Sequence, residues 1–101
     1  MIRLVVSRRA EADLSSIIGY LSNEAGTGIA RAYLTRFQRL NRLLVEQPDL
    51  GSPRPLLGRG VRMSIVAPYL VFYRRNGDQL SILRILHGRR KITNALIRHG
   101  S

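Results

Sequence analysis

Apolar and polar positions change rhythm several times along this chain, and each rhythm marks an element. Ile2 to Val6 is a short, mostly apolar run that reads as a strand. Ser7 follows it, with a hydroxyl suited to accept one of the amides left unpaired at a helix start. Ala10, Leu14, Ile17 and Leu21 then recur at helical spacing, and Ile18 and Ala25 widen the stripe. Gly26-Thr27-Gly28 breaks it. A second helix is predicted from Ile29 to Gln47. Tyr33, Phe37, Leu40 and Leu44 mark its buried side, and Arg31, Arg39, Arg42 and Glu46 lie opposite. Pro48 stops it, because proline disfavours helical geometry at the residue before it. Two helices joined so tightly form an αα-hairpin.

Asp49 to Gly60 reads as a loop punctuated by Gly51, Pro53, Pro55, Gly58 and Gly60. Its length is that of a loop within a domain, not a linker between two. Val61, Met63 and Ile65 then alternate with Arg62 and Ser64, as in a half-buried strand. Tyr69 to Arg75 is apolar at both parities almost to its end, which suits a central strand. Asn76-Gly77 signals a hairpin with a type I′ turn, and Leu80 to His87 returns as the last strand. Gly88 ends that strand, and Ile92 to Arg98 can form a short helix. The order predicts an α+β fold: N-terminal strand, helical hairpin, three-stranded antiparallel meander and short C-terminal helix. The hairpin should pack on one face of the sheet. The expected core is Leu14, Ile17, Leu21, Tyr33, Phe37, Leu40, Leu44, Ile65, Val71, Tyr73, Ile82 and Ile85.

The chain has 101 residues, which fits one domain spanning 1–101. It has no cysteine, so disulfides and thiolate metal sites are excluded. The opening apolar run is too short for a signal sequence, and Pro68 interrupts the longest greasy stretch, Ile65 to Tyr73. The expected location is therefore the cytoplasm. Charge changes the picture more. The 17 basic and 6 acidic residues give a net charge of +11, and every cation except Lys91 is arginine. After Leu50 the only acid is Asp78. Such a field attracts nucleic acid, anionic lipid or an acidic protein. The arginine bias favours planar contacts to carboxylates and phosphates over simple solvation.

Catalytic chemistry is hard to place. His87 ends a strand beside Arg89 and Arg90, and a histidine so placed could move a proton. No carboxylate lies near it in sequence, so the favoured reading is a hydrogen-bonding residue that orders the last turn. His99 reads as a solvated tail residue. The histidines and acids lack metal-ligand spacing, no Ser-His-Asp set can be assembled, and Gly58-Arg59-Gly60 is not a phosphate loop. No cofactor, no metal and no catalytic residue is expected. Tyr69 and Tyr73 share one strand face and read as core, with a base-stacking platform as the lesser reading. Glu11 and Asp13 complement the dipole of the first helix. Asp13 is also expected to pair across the fold with a basic residue such as Arg62 or Arg84.

Two stretches carry a family resemblance. The first is Ala10-x-x-Asp13-Leu14-x-x-Ile17-x-x-Tyr20. The second begins at Pro48-Asp49-Leu50-Gly51-x-Pro53-Arg54-Pro55 and continues through Val61-Arg62, Tyr69-x-Val71-Phe72-Tyr73-Arg74 and Ile82-Leu83-Arg84-Ile85-Leu86-His87-Gly88. In that order they resemble the ParE branch of the RelE/ParE toxin superfamily, over about residues 2 to 95. Lys91 stands where the family usually has an acid, and Ala67-Pro68 replaces a glycine-containing turn.

The resemblance implies a cytosolic toxin that poisons DNA gyrase and is neutralised by a ParD-like antitoxin, with DNA contacted only through its target or the antitoxin complex. Within that frame His87, Arg89, Arg90, Lys91 and Arg98 are assigned to target binding. Arg31, Arg39 and Arg42 are assigned to an acidic antitoxin tail. The alternative is a RelE-like ribosome-dependent endoribonuclease, which needs converging cations and a proton-transfer residue. A rough overlay puts Val61, Met63 and Leu70 near several of the ribonuclease's basic positions. Arg89 survives that overlay, but Ala95 falls near the catalytic tyrosine.

Overall fold

The computed structural model describes residues 1–98, the side chain of Arg98 excepted. His99, read above as a solvated tail residue, lies outside the described residues. The chain runs β1 (Arg3–Val6), α1 (Arg8–Ala25), α2 (Thr27–Glu46), β2 (Ser52–Pro53), a 3₁₀ turn (Pro55–Leu57), β3 (Val61–Val66), β4 (Tyr69–Asn76), β5 (Gln79–His87) and α3 (Asn94–Arg98). This is the α+β order that the periodicity predicts.

Local chemistry explains the helical hairpin. Ser7 is the N-cap of α1. Its Oγ accepts from the Ala10 amide at 3.1 Å and donates to the Leu83 carbonyl at 3.0 Å. One hydroxyl therefore starts the helix and ties it to the sheet. The hairpin turn is tighter than expected. Gly26 alone joins the helices, at φ +93°. Its amide donates to the Ser22 carbonyl, and its own carbonyl accepts from Ala30. A residue with a side chain would be strained there, and Thr27 and Gly28 are left free to enter α2.

The sheet has five strands in the order β1-β5-β4-β3-β2. β1 runs parallel to β5, and the other neighbours are antiparallel. The first and last strands of the chain are thus paired, with Leu4 opposite Leu80 and Val6 opposite Ile82. β2 lies in the segment expected to be loop, where Ser52 and Pro53 pair with Met63 and Arg62. A proline is tolerated there because the strand is at the sheet edge.

Both faces of the sheet are covered, whereas only one cover was expected. The hairpin side holds Ala10, Phe37, Leu44, Val66, Tyr69, Val71, Tyr73, Leu80, Ile82 and Ile85. Leu14, Ile17, Leu21, Tyr33 and Leu40 are half-buried against it. The opposite side holds Val61, Phe72, Leu83, Leu86 and Ile97. Leu57 of the 3₁₀ turn and Leu96 of α3 pack onto that second cluster. This is why β4 is apolar at both parities.

Two strand details depart from the expected pattern. Ile65, placed in the core by alternation, is 60% exposed. It shares the second face with Val61 and Met63 but projects beyond the part that the second cluster covers. A register shift between Phe72 and Tyr73 sets Phe72 opposite Arg84 and Tyr73 opposite Ile82. Leu83 is the extra residue, so Ile82 and Ile85 reach the same core although they are three apart. The β4–β5 turn also differs. Asn76 pairs with Gln79, so the turn residues are Gly77 and Asp78. Only Gly77 has positive φ, at +60°, which fits type II′ rather than type I′.

Candidate binding groove

The end of β5, the β3–β4 turn and both hairpin helices converge on a groove of about 710 Å³. α1 contributes Ser16, Ile17, Tyr20 and Leu21, and α2 contributes Tyr33. Pro68 and Tyr69 come from the β3–β4 turn and the strand it feeds. His87, Arg89 and Arg90 close the remaining side. Three of the residues assigned to target binding by sequence therefore lie together, beside tyrosines that the same reading put elsewhere.

Tyr69 forms the floor and is 5% exposed. The Tyr33 and His87 rings meet it edge-on, with centroids 5.9 and 5.6 Å away. Such edge-to-face contacts are favoured by the ring quadrupoles. Burial raises the Tyr69 pKa, and the neighbouring Tyr33 and Tyr20 hydroxyls raise it further. Tyr33 donates to the Ala67 carbonyl at 3.3 Å, and the Arg36 guanidinium lies 4.9 Å from its ring centre. Tyr20, by contrast, is 61% exposed on the rim.

The cationic side is held by backbone contacts around His87. Gly88 donates to the Pro68 carbonyl at 2.8 Å, and Arg90 donates to the His87 carbonyl at 3.0 Å. The His87 Nδ1 accepts from the Arg89 amide at 3.0 Å. His87 thus orders the turn that presents Arg89 and Arg90, as the hydrogen-bonding reading of this residue expected. Both arginines and Lys91 are exposed. Lys91 does not line the groove, and the Arg98 side chain lies outside the described residues.

Of the four α2 arginines, the three assigned to the antitoxin tail, Arg31, Arg39 and Arg42, are exposed but not gathered. Arg39 borders a depression with Leu43 and Ile65, towards β3. Arg42 borders another with Leu4, Val45 and Glu46, towards β1. Arg31 lines neither.

The meander arginines are engaged within the fold. Arg62 donates to the carbonyls of Asp49 and Gly51 at 3.1 and 2.7 Å, with the Asp49 carboxylate 3.7 Å away. Arg74 donates to the Arg59 carbonyl at 3.4 Å, and Arg75 to the Gly77 carbonyl at 3.0 Å. Arg84 is 4% exposed and pairs with Asp13, which decides between the two partners considered for that carboxylate.

Sequence reasoning missed Tyr20 and Tyr33 as groove residues. Tyr33 was assigned to the buried stripe of α2, and Tyr20 entered only as part of a motif. The available signal was the spacing Ile17, Tyr20, Leu21. It puts a half-polar ring at the border of an apolar stripe, where one side of the ring stays wet.

The comparisons with known proteins agree with this architecture. The family described as ParE toxin of type II toxin-antitoxin system, parDE, matches residues 4–92. Toxin ParE3 of Caulobacter vibrioides is 34% identical over 94 residues, covering 93% of this chain and 94% of that protein. Toxin ParE1 of the same organism is 35% identical over 82 residues, covering 81% and 84%. A solved chain from the chromosomal ParDE system of P. aeruginosa superposes with a TM-score of 0.74 at 27% identity. The match covers 86% of this chain and 96% of that one.

Proposed function

The chain belongs to the ParE toxin family of type II toxin–antitoxin systems, and from that membership we propose that it disables DNA gyrase by contact, without cutting nucleic acid. A ParD-type antitoxin holds it silent in the cytoplasm. The solved relative from a ParDE system supports the antitoxin as partner. The net charge of +11 supports an acidic tail as the part that binds. Arg39 and Arg42 offer that tail cations on two flanks of α2 rather than one patch, and Arg31 is exposed apart from both.

The observation that carries the non-cleaving reading is the engagement of the meander arginines. Strand-cleaving chemistry at a phosphate needs several free cations converging on one point, with a residue to move the proton. Arg62, Arg74, Arg75 and Arg84 all donate to groups of the fold itself. The exposed cations Arg89, Arg90 and Lys91 instead form a run suited to docking, where phosphate contacts position a partner without reaction.

Purified protein should inhibit gyrase supercoiling or trap cleaved plasmid, and should leave messenger RNA intact with or without ribosomes. Replacing Arg89, Arg90 and Lys91 together by glutamine should abolish inhibition while circular dichroism stays unchanged. Ribosome-dependent cuts in messenger RNA, lost in His87→Ala or Arg89→Gln, would overturn this reading in favour of the ribonuclease.

A further inference from the structure

We propose that the groove beside β5 is a receptor for an unpaired nucleotide of a DNA strand. The base lies against the rim tyrosine, Tyr20, and the flanking phosphates meet Arg89 and Arg90. This deepens the contact-poison reading and rests on it for its biological setting.

Four features of the groove point to that ligand. Tyr20, Tyr33, Tyr69 and His87 together supply four of the groove's ten lining residues as rings. Every nucleobase has a flat π face, so a ring platform accepts a base without reading its sequence. Tyr20 is the ring exposed enough to stack on, whereas Tyr69 is sealed beneath its neighbours.

The charge has the matching sign. Among the described residues, no carboxylate lines the groove, and its two cations are guanidinium groups. A guanidinium takes a phosphate through two parallel hydrogen bonds. Lys91 continues the run past the groove and is exposed, so a further phosphate of the same strand has a cation to meet. The contacts around His87 also fix the backbone that carries Arg89 and Arg90, so there only their side chains are left to order on binding.

The volume fits as well. About 710 Å³ lies within the range of roughly 300–1,000 Å³ typical of small-ligand sites. A duplex cannot use the groove, because its bases are already stacked and paired. An acidic peptide would satisfy Arg89 and Arg90 equally well, and it is the ring content that favours a base.

The test is fluorescence anisotropy of a short fluorescein-labelled oligothymidine with the purified chain. Wild type and variants are titrated across a range of salt. Wild type should bind the single strand more tightly than a duplex of the same length. Tyr20→Leu should bind roughly tenfold more weakly, the scale of one base–ring stack, while Tyr20→Phe stays close to wild type. Arg89→Gln with Arg90→Gln should lower the salt slope by about 1.4, at ~0.7 for each phosphate contact in a single strand. Arg8→Gln with Arg59→Gln removes the same charge elsewhere on the surface and should leave the ring-dependent term intact.

Binding by Tyr20→Leu equal to wild type would overturn the proposal. So would an equal loss in the remote-charge variant, or duplex that competes as well as single strand. Wild type that binds the oligonucleotide yet leaves gyrase active would keep the groove assignment and remove the target reading. Gyrase inhibition without oligonucleotide binding would do the reverse.

Discussion

Arg84 holds Asp13 through two parallel contacts, Nε to Oδ2 at 2.7 Å and Nη2 to Oδ1 at 2.8 Å. The same carboxylate accepts from the Ile85 amide at 2.9 Å. That amide lies where β5 has run past its last β1 partner, Ile82, so a side chain of α1 takes over from the missing strand. Arg84 also donates to the Leu96 carbonyl at 3.1 Å and so ties α3 to the same point. The hydrogen bonds to Asp13 raise the guanidinium pKa against the opposing effect of burial.

Removing one partner leaves the other charge buried. Asp13→Ala should therefore cost about 3–5 kcal/mol in urea unfolding. Asp13→Leu combined with Arg84→Met should recover much of that loss, since the two charges go together. A loss under about 1 kcal/mol in Asp13→Ala, as for surface pairs, would show that the pair is solvated in solution.

Tyr73 closes the loop after α2. Its hydroxyl donates to the Pro48 carbonyl and accepts from the Gly51 amide, both at 2.8 Å. A Cβ on Gly51 would lie 2.7 Å from the Tyr73 ring and 2.9 Å from the Met63 carbonyl. Gly51→Ala should thus destabilise by about 1–3 kcal/mol through overpacking. Tyr73→Phe should cost about 1–3 kcal/mol through unpaired buried groups. Because both changes open the same contact, the double variant should lose less than their sum. Strict additivity in denaturant unfolding would contradict the shared contact.

Alkaline stability follows from two tyrosines. Burial raises the pKa of both Tyr69 and Tyr73 above the ordinary value of 10.0. In the window above pH 10 the folded chain keeps protons that the unfolded chain has released. Stability is therefore full below the unfolded value and falls as pH rises through the folded values. Thermal unfolding should show a plateau that declines on crossing pH 10. Tyr69→Phe should make the decline shallower, and an identical slope in that variant would exclude Tyr69 as its source.

Phe37 is 2% exposed and touches the groove floor through Tyr69, with ring centroids 5.9 Å apart. Phe37→Ala should cost about 3–5 kcal/mol. It should also loosen Tyr69, so proton NMR should show the Tyr69 ring signals shifting in a chain that stays folded. Unchanged Tyr69 signals would mean that the two rings do not pack together.

Much of this architecture is legible along the chain because local signals are strong where one face is buried. Ser7 and the α1 stripe declare a capped helix, and Pro48 declares the end of α2. What was not legible depends on distant partners. Nothing near Ile65 in sequence says that the second cluster stops short of it. The bulge at Leu83 is a property of the β4–β5 register, and β2 exists only because Met63 and Arg62 are there to pair with. The groove was half visible. The basic run after His87 could be read directly, whereas Tyr20 and Tyr33 join it only after two helices fold over the end of the sheet. The arginines of α2 looked like one face on a helical wheel, yet β1 and β3 draw Arg42 and Arg39 to opposite flanks.

The parallel pairing of β1 with β5 has a consequence for when the protein can become harmful. Arg3 meets Gln79 across 76 residues of chain, and the Ser7 cap reaches Leu83 over the same distance. Contacts of such long range close late and slow the folding of the whole. While β5 is still inside a ribosome, β1 has no strand to pair with and α1 lacks the Arg84 partner that fixes Asp13. Neither the complete sheet nor the groove can exist by then, since both need β5 or the residues after it. Translation thus imposes a delay between starting the chain and completing the sheet and the groove. Ribosome-bound chains stalled before Gln79 should be cut readily by protease within the N-terminal half, and resistance at that stage would show that the strand order does not set this delay.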